Sequence, residues 1–157
     1  MYWWGPIVLL LSFAFMEFVA WLAHKYLMHG FLWHFHKDHH DTHEGFFERN
    51  DIFFLIFAIP SALCIFIGMK NAFYVPVWIG FGIALYGAAY FFLHDIFIHR
   101  RFSFLKDIDH PYFIAIRKAH KIHHKNRYKE HGKHFGMLLV PFKYYKEARA
   151  VYYRKYK

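Results

Sequence analysis

Three long apolar runs limit what this chain can fold into. Residues 2–23 carry one charged side chain, Glu17, and residues 52–69 and 75–93 carry none. An α-helix of about 20 residues crosses the hydrocarbon core of a bilayer, which is about 30 Å thick. The sequence therefore predicts an all-α integral membrane protein with three transmembrane helices.

The third run and its neighbours predict how these helices pack. Gly80, Gly82 and Gly87 favour close contact with another helix, because glycine lets two backbones approach. Only residues 70–74 separate the second run from the third, so we expect an antiparallel hairpin. Residues 135–142 are a candidate fourth, re-entrant segment, which is apolar but too short to span the membrane.

The distribution of charge predicts the orientation in the membrane. Of the 20 lysine and arginine residues, all except Lys70 lie in residues 24–51 or 94–157. Cytoplasmic segments of membrane proteins carry the excess of basic residues. Both large polar segments are therefore predicted to face the cytoplasm, with the protein in the cytoplasmic membrane.

We expect a single domain over residues 1–157, in which residues 24–51 and 94–141 form a cytoplasmic helical cap. The tail, residues 142–157, alternates tyrosine with lysine and arginine, which is typical of a lipid surface. With 57% apolar residues the chain is too apolar for a small nucleic-acid-binding protein, despite its net charge of +9. Its single cysteine excludes a disulfide framework. The N-terminus lacks a basic region, so no signal peptide is expected.

Ten of the fifteen histidines form four spaced groups beside the first and third runs. An HX4H pair is followed by an HX2HH group, and this order occurs twice. In HX2HH, three rings point into one arc of roughly 100° of a helix. The HX4H rings lie about 140° apart on an ideal helix, so they share a site only where the helix ends or loosens, as Gly30 allows. The ten are His24, His29, His36, His39, His40, His94, His99, His120, His123 and His124.

This ligand set predicts a metal centre with two ions. Imidazole binds Fe, Zn, Cu and Ni, and burying many imidazoles beside a bilayer is costly without such a partner. Ten nitrogen ligands are too many for one ion. Zinc usually takes four ligands and has no redox chemistry, so two iron ions use the ten histidines more naturally.

Other polar residues beside these groups are candidates for supporting roles. His34 and His43 are either extra ligands or outer hydrogen-bond partners of ligands. Asp38 and Asp95 either accept an imidazole N–H or balance the basic face. Glu17 lies at membrane depth, two helical turns before His24 and on nearly the same helix face as that residue. It is either part of the site or the partner of a polar group on another helix.

Six stretches of the chain carry a family resemblance, which extends from about residue 17 to residue 148. They are residues 24–30, 32–40, 43–51, 94–102, 119–124 and 135–139. They resemble the bacterial and plant β-carotene hydroxylases, within the wider fatty acid hydroxylase superfamily of membrane di-iron enzymes. The histidine groups indicate only the superfamily, whereas the segment 44–51 and the pair His94-Asp95 are similar to the carotenoid branch.

The resemblance implies a reaction, cofactors and partners. Such enzymes hydroxylate C3 of the β-ionone rings of β-carotene, through β-cryptoxanthin to zeaxanthin, using O₂ and electrons from reduced ferredoxin and its reductase. Two non-haem iron ions would be held by the ten grouped histidines. The carotenoid would enter from the bilayer between aromatic-rich helices. Candidate channel walls are Phe53, Phe57, Phe91 and Phe97.

Two other functions stay open at this point. A fatty acid or sterol hydroxylase or desaturase would use the same iron ligands on a different substrate. A non-catalytic metal-binding membrane protein is the other alternative, although a transporter would hold its ligands near the membrane midplane. The basic cytoplasmic face fits an acidic electron donor, and contact with phospholipid explains it equally well.

Overall fold

A computed structural model describes residues 3–41, 45–102, 108–127, 130 and 132–156. All regular secondary structure in these residues is helical, which confirms the all-α prediction. Two helices end in π-helical segments, in which each N–H bonds to the carbonyl five residues earlier. The elements are α1 (Gly5–Leu22), a first π-segment (Ala23–Phe31), α2 (Trp33–His40), a short 3₁₀ turn (Arg49–Asp51), α3 (Ile52–Lys70), α4 (Tyr74–Phe91), a second π-segment (Phe92–Ile98), α5 (Pro111–His124) and α6 (Phe142–Lys155).

Among the described residues, three continuous helical stretches are long and apolar enough to cross a membrane, as predicted. They are Gly5–Phe31, Arg49–Lys70 and Tyr74–Ile98, of 27, 22 and 25 residues. The first and third are longer than the apolar runs because the π-segments extend them. At 1.5 Å per residue the first is about 40 Å long, which exceeds the hydrocarbon thickness. A helix of this length extends past the hydrocarbon core at one end or at both.

Helix α4 packs against both α1 and α3. A Cβ atom added to Gly82 would lie 2.6 Å from the carbonyl oxygen of Leu9, and one added to Gly80 would lie 2.7 Å from that of Ser61. The Ser61 hydroxyl also donates to the Gly80 carbonyl at 2.8 Å. Close packing is thus confirmed at two of the three glycines, whereas Gly87 faces open space.

The outer faces of the three spanning helices are covered by large apolar side chains. This arrangement suits contact with lipid, since water-soluble monomers rarely expose large contiguous apolar surfaces. Side chains that are half exposed or more include Leu10, Leu11, Phe15, Phe18, Phe54, Leu55, Phe66 and Ile67.

Helices α5 and α6 form a second layer at one end of the spanning helices. Ala115 and Ala119 of α5 pack against Tyr144 and Ala148 of α6, and small residues on both sides allow the close approach. Residues 132–141, which form the described part of the connection directly before α6, have no regular structure. Through them, Met137 packs on Leu93 and Ile116, which fixes the layer to the end of α4.

Candidate metal centre

The two π-segments solve the spacing problem of the HX4H pairs. Because a π-helix has more residues per turn than an α-helix and closes i→i+5 hydrogen bonds, residues i and i+5 lie nearer to one face than they do in an α-helix. The His99 N–H donates to the His94 carbonyl at 2.9 Å, and the Leu32 N–H donates to the Leu27 carbonyl at 3.0 Å. The predicted loosening is therefore present in both helices. The backbone also leaves helical geometry at Gly30, with φ −107° and ψ −125°.

Two groups of histidine nitrogens face each other at this end of the molecule, each with its nitrogens within 4.8 Å of one another. Cluster A consists of His24, His29, His36, His40 and His123, and cluster B of His39, His99, His120 and His124. His94 adjoins cluster B, with its Nε2 atom 3.0 Å from that of His39. The two clusters are neighbours, since the rings of His40 and His124 stack at 4.5 Å.

Each HX2HH group is divided between the two clusters. Around the helix axis, the last histidine lies about 40° from the first in one direction. The middle histidine lies about 60° from the first in the opposite direction. His36 and His40 of α2 therefore enter cluster A while His39 enters cluster B. In α5, the middle residue His123 enters cluster A. The Nε2 atom of His123 lies 3.1 Å from that of His29.

The protonation of the rings fits a metal site. The Nδ1 atoms of His24 and His36 face oxygen acceptors, the Phe135 carbonyl at 2.9 Å and the Asn50 side chain at 2.6 Å. Each Nδ1 must therefore carry the proton, which leaves a lone pair on Nε2. Yet the two Nε2 atoms face each other at 3.2 Å. Opposed lone pairs at this distance repel unless a cation lies among them.

The same argument applies to cluster B. The Nδ1 atoms of His39 and His94 face the carboxylates of Glu48 and Asp95, at 2.9 and 3.2 Å. Their Nε2 atoms are thus unprotonated and lie 3.0 Å apart. Three more ligand atoms meet beside them, with the Nε2 atom of His120 at 2.8 Å from those of both His99 and His124. The donor sets of both clusters fit metal ions.

Comparison with known proteins agrees with this geometry. The model of the fatty acid hydroxylase family matches residues 9–143. The chain belongs to the fatty acid hydroxylase family. It is 38% identical to the β-carotene hydroxylase of Pantoea ananas, over 88% of this chain and 78% of that protein. It is 36% identical to the β-carotene hydroxylase of Paracoccus sp. (strain PC1), over 80% of this chain and 78% of that protein.

A plant relative is longer. The chain is 40% identical to the chloroplastic β-carotene 3-hydroxylase of Gentiana lutea, over 80% of this chain, but it spans only 40% of that protein. No solved structure matches the chain significantly.

The outer hydrogen-bond partners of this hydroxylase differ between the clusters. In cluster A, every recorded acceptor is an uncharged oxygen. Besides those of His24 and His36, they are the Arg127 carbonyl at 3.0 Å from His29 Nδ1 and the Lys133 carbonyl at 3.1 Å from His123 Nδ1. In and beside cluster B, the acceptors of His39 and His94 are carboxylates. Such partners fix the tautomer and orient the ring.

Arg101 ties the carboxylates beside cluster B together. Its Nη2 atom lies 2.6 Å from Asp51 and 3.6 Å from Glu48, and its Nε atom lies 3.1 Å from Asp95. Asp51 also accepts the backbone N–H of Glu48 at 3.0 Å, so the two acids cap the turn before α3. Burial raises the pKa of the Glu48 carboxyl, which the Arg101 charge opposes.

Burial keeps the ring nitrogens neutral. Together with weaker repulsion from nearby rings, it lowers the pKa of His40 and of His124 to about 3. The same causes lower the pKa of His99 and of His123 further. The rings are therefore uncharged at physiological pH, which is the form that binds a metal.

The structure separates the supporting candidates that the sequence had left open. His34 is exposed and its ring contacts Phe35, outside both clusters. His43 lies outside the described residues. Asp95 contacts a histidine, whereas Asp38 accepts the backbone N–H of Arg49 at 2.7 Å. Glu17 joins neither cluster.

The four candidate channel residues lie in different surroundings. Phe53 is buried, with its ring 6.1 Å from that of His36. Phe57 packs on the core between α1 and α4, and Phe91 is 40% exposed. Phe97 is fully buried against Phe113, with the Arg117 guanidinium 4.2 Å from its ring centre. The structure thus brings only Phe53 of the four against a cluster histidine.

Sequence reasoning did not assign the acceptors of the Nδ1 protons, apart from Asp95. Glu48 and Asn50 lie in the segment 44–51. Polar side chains directly before an apolar span are a signal from which acceptors for the histidine Nδ1 protons can be predicted. The carbonyl acceptors from Arg127, Lys133 and Phe135 leave no such signal, since any residue has a carbonyl.

Two cavities of about 360 and 400 Å³ reach cluster B. Both include His99 in their walls, but the exposed wall of the first is mostly polar and that of the second is mostly apolar. The first is lined by His39, Asp41, Gly45, Phe46, Glu48, His99 and Arg101, and the second by Ile98, His99, His120, Lys121, His124 and Lys125.

Proposed function

We propose that this hydroxylase acts on carotenoids and adds a hydroxyl group at C3 of β-ionone rings, taking β-carotene through β-cryptoxanthin to zeaxanthin. One observation carries the chemistry: two adjoining clusters of unprotonated Nε2 atoms lie at the ends of apolar helices. The names of the bacterial relatives, which this chain matches over most of their length, support the substrate class.

Cluster A would hold one non-haem iron ion, and cluster B with His94 would hold the other. When bound there, the pair of irons supplies activation of O₂ with electrons from reduced ferredoxin, as needed to hydroxylate an unactivated C–H bond. The ten histidines are the proposed ligands. Glu48 and Asp95 keep the Nδ1 proton of their histidines in place, so that Nε2 faces the ion.

The apolar residues around cluster A have a separate task, which is to exclude water. The ring of Phe135 lies 5.2–5.5 Å from the rings of three histidines of the cluster, and Trp33 lies 5.2 Å from His29. A carotenoid is soluble only in the bilayer, so its ring would approach from the spanning helices. Phe53 is the best-supported wall of that path, because it contacts His36.

The polar side of the centre faces the proposed electron donor. Lys121 and Lys125 are exposed at the rim of a cavity that reaches cluster B. Positive charge there would attract an acidic protein such as ferredoxin, which its reductase supplies with electrons. By the distribution of basic residues, this side lies in the cytoplasm and the spanning helices lie in the cytoplasmic membrane.

Expression in cells that accumulate β-carotene, followed by chromatography of the pigments, tests the proposal. We expect mono- and dihydroxylated products from the unchanged chain. His34→Ala should retain activity because that ring is exposed and lies outside both clusters. If no hydroxylated carotenoid forms while fatty acids or sterols become hydroxylated, the proposed substrate is wrong and the wider family activity applies.

A further inference from the structure

Glu17 is a buried carboxylate in the middle of a spanning helix, with 8% of its surface exposed. An ionisable group at such a position is costly unless it has a specific partner. Glu17 has several. Its Oε1 atom accepts the backbone N–H groups of Met137 and Leu139 at 2.9 and 3.0 Å. The Leu138 N–H bonds to both carboxylate oxygens, at 3.0 and 3.1 Å.

A fourth donor comes from the neighbouring helix. The Tyr86 hydroxyl, on α4, donates to Oε2 of Glu17 at 2.7 Å. Three consecutive backbone N–H groups and one hydroxyl therefore converge on one carboxylate, an arrangement that binds an anion strongly. Because both oxygens are occupied by donors, Glu17 is not available as a metal ligand.

The segment that Glu17 holds also contacts cluster A. Two residues before Met137, the Phe135 carbonyl accepts the Nδ1 proton of His24, and the Lys133 carbonyl accepts that of His123. Gly136 fits tightly between these contacts and the carboxylate. A Cβ atom added there would lie 2.8 Å from Oε1 of Glu17.

We propose that Glu17 is a positioning residue for cluster A, which acts by fixing the segment 133–139 against the first spanning helix. Glu17 precedes His24 by about 10 Å along the helix, at 1.5 Å per residue. The segment thus bridges the membrane-embedded carboxylate and the Nδ1 atoms of two proposed ligands. Cluster B has no recorded acceptor in this segment. The inference rests on the proposed metal centre, and it assigns the effect to one of the two ions.

The test measures bound iron, so that it is independent of any carotenoid activity. The purified membrane protein is reconstituted with ferrous iron, and the iron retained against a chelator is counted. Two backgrounds isolate the sites: His99→Ala removes a ligand of cluster B, and His36→Ala removes one of cluster A. We expect Glu17→Ala to weaken iron binding about 10- to 100-fold in the His99→Ala background. It should weaken binding much less in the His36→Ala background, because this segment supplies hydrogen-bond acceptors to cluster A only.

Three further variants refine the result. Glu17→Gln keeps one oxygen for the backbone donors and should restore part of the affinity. Gly136→Ala keeps every polar group but crowds the carboxylate, so it should reproduce the selective loss even if Glu17→Ala does not fold. Glu147→Ala, which removes an exposed carboxylate on α6, should change neither site.

The inference is overturned if iron binding falls equally in both backgrounds, since a general loss of folding would do that, or if it falls in neither. Failure of the proposed metal centre gives a different outcome, in which the unchanged chain itself retains no iron, and failure of the proposed substrate alone leaves all of these iron measurements as expected.

Discussion

Clusters A and B use the same side chain in different surroundings. The recorded acceptors around cluster A are uncharged oxygens, and the rings of Phe135 and Trp33 cover it. Cluster B lies beside two carboxylate acceptors, an arginine and two cavities, one of which has a mostly polar wall. Identical ligands therefore do not make equivalent sites.

The difference should affect the reduction potential of the ion in each site and its exposure to water. A carboxylate that accepts an imidazole proton makes that ring a stronger base and a better ligand for a more highly charged ion. We expect the ion in cluster B to be the harder one to reduce, and the ion in cluster A to be the better shielded from water. Access for electrons and protons is then on the side of cluster B.

The division of the HX2HH groups gives the largest expected effect. His39→Ala and His123→Ala should each abolish hydroxylation, because each leaves one ion short of a ligand. Two double variants test the division itself. His39→Ala with His120→Ala affects only cluster B and should retain about one iron per chain, whereas His39→Ala with His36→Ala affects both clusters and should retain almost none.

Iron content of the purified variants checks this prediction, with His34→Ala as the matched control. The reverse result, with about one iron in His39→Ala with His36→Ala and almost none in His39→Ala with His120→Ala, would contradict the division, because it would mean that each HX2HH group serves a single ion.

The division also shows where sequence reasoning stopped. The spacing places His36, His39 and His40 in one arc of α2, and that much follows from helix geometry alone. Their separation into two clusters depends on α5, whose rings meet those of α2 face to face, as His40 and His124 do. Long-range approach of two helices is not encoded in the spacing of either one.

The π-segments could also be predicted only in part from the sequence. The sequence predicts that the HX4H pairs need a loosened helix, because their rings are otherwise about 140° apart. It does not predict the i+5 hydrogen bonds that provide the loosening, since π-helical turns are rare in helices in general. The spanning helices, by contrast, follow from composition alone, because hydrocarbon leaves a backbone few alternatives to a helix.

Exchanging the acceptors of the two clusters should give an intermediate effect. Glu48→Gln replaces the carboxylate on His39 with an amide, and Asn50→Asp places a carboxylate on His36. We expect Glu48→Gln to weaken iron binding at cluster B about 10- to 100-fold and to raise the reduction potential of that ion. Asn50→Asp should lower the potential of the ion in cluster A. A redox titration followed by Mössbauer spectroscopy measures both.

The combined Glu48→Gln and Asn50→Asp variant is the more demanding test. Its two ions should have closer or inverted reduction potentials relative to the unchanged protein. If the order and separation of the potentials stay the same, the acceptors do not cause the asymmetry.

Arg101 should give the smallest effect, because it reaches cluster B only through the carboxylates. Arg101→Met leaves Glu48, Asp51 and Asp95 without their shared cation, so the acids repel one another and hold their histidines less firmly. A partly exposed ion pair contributes about 1 kcal/mol, which corresponds to roughly fivefold weaker iron binding at cluster B. Cluster A should be unaffected, because its recorded acceptors lie outside this network.

Arg100→Met removes an exposed charge from the adjacent position and is the matched control in chelator-release measurements. An equal loss in both variants would assign the effect to the general positive potential of this face, and the specific contacts of Arg101 would then have no separate role.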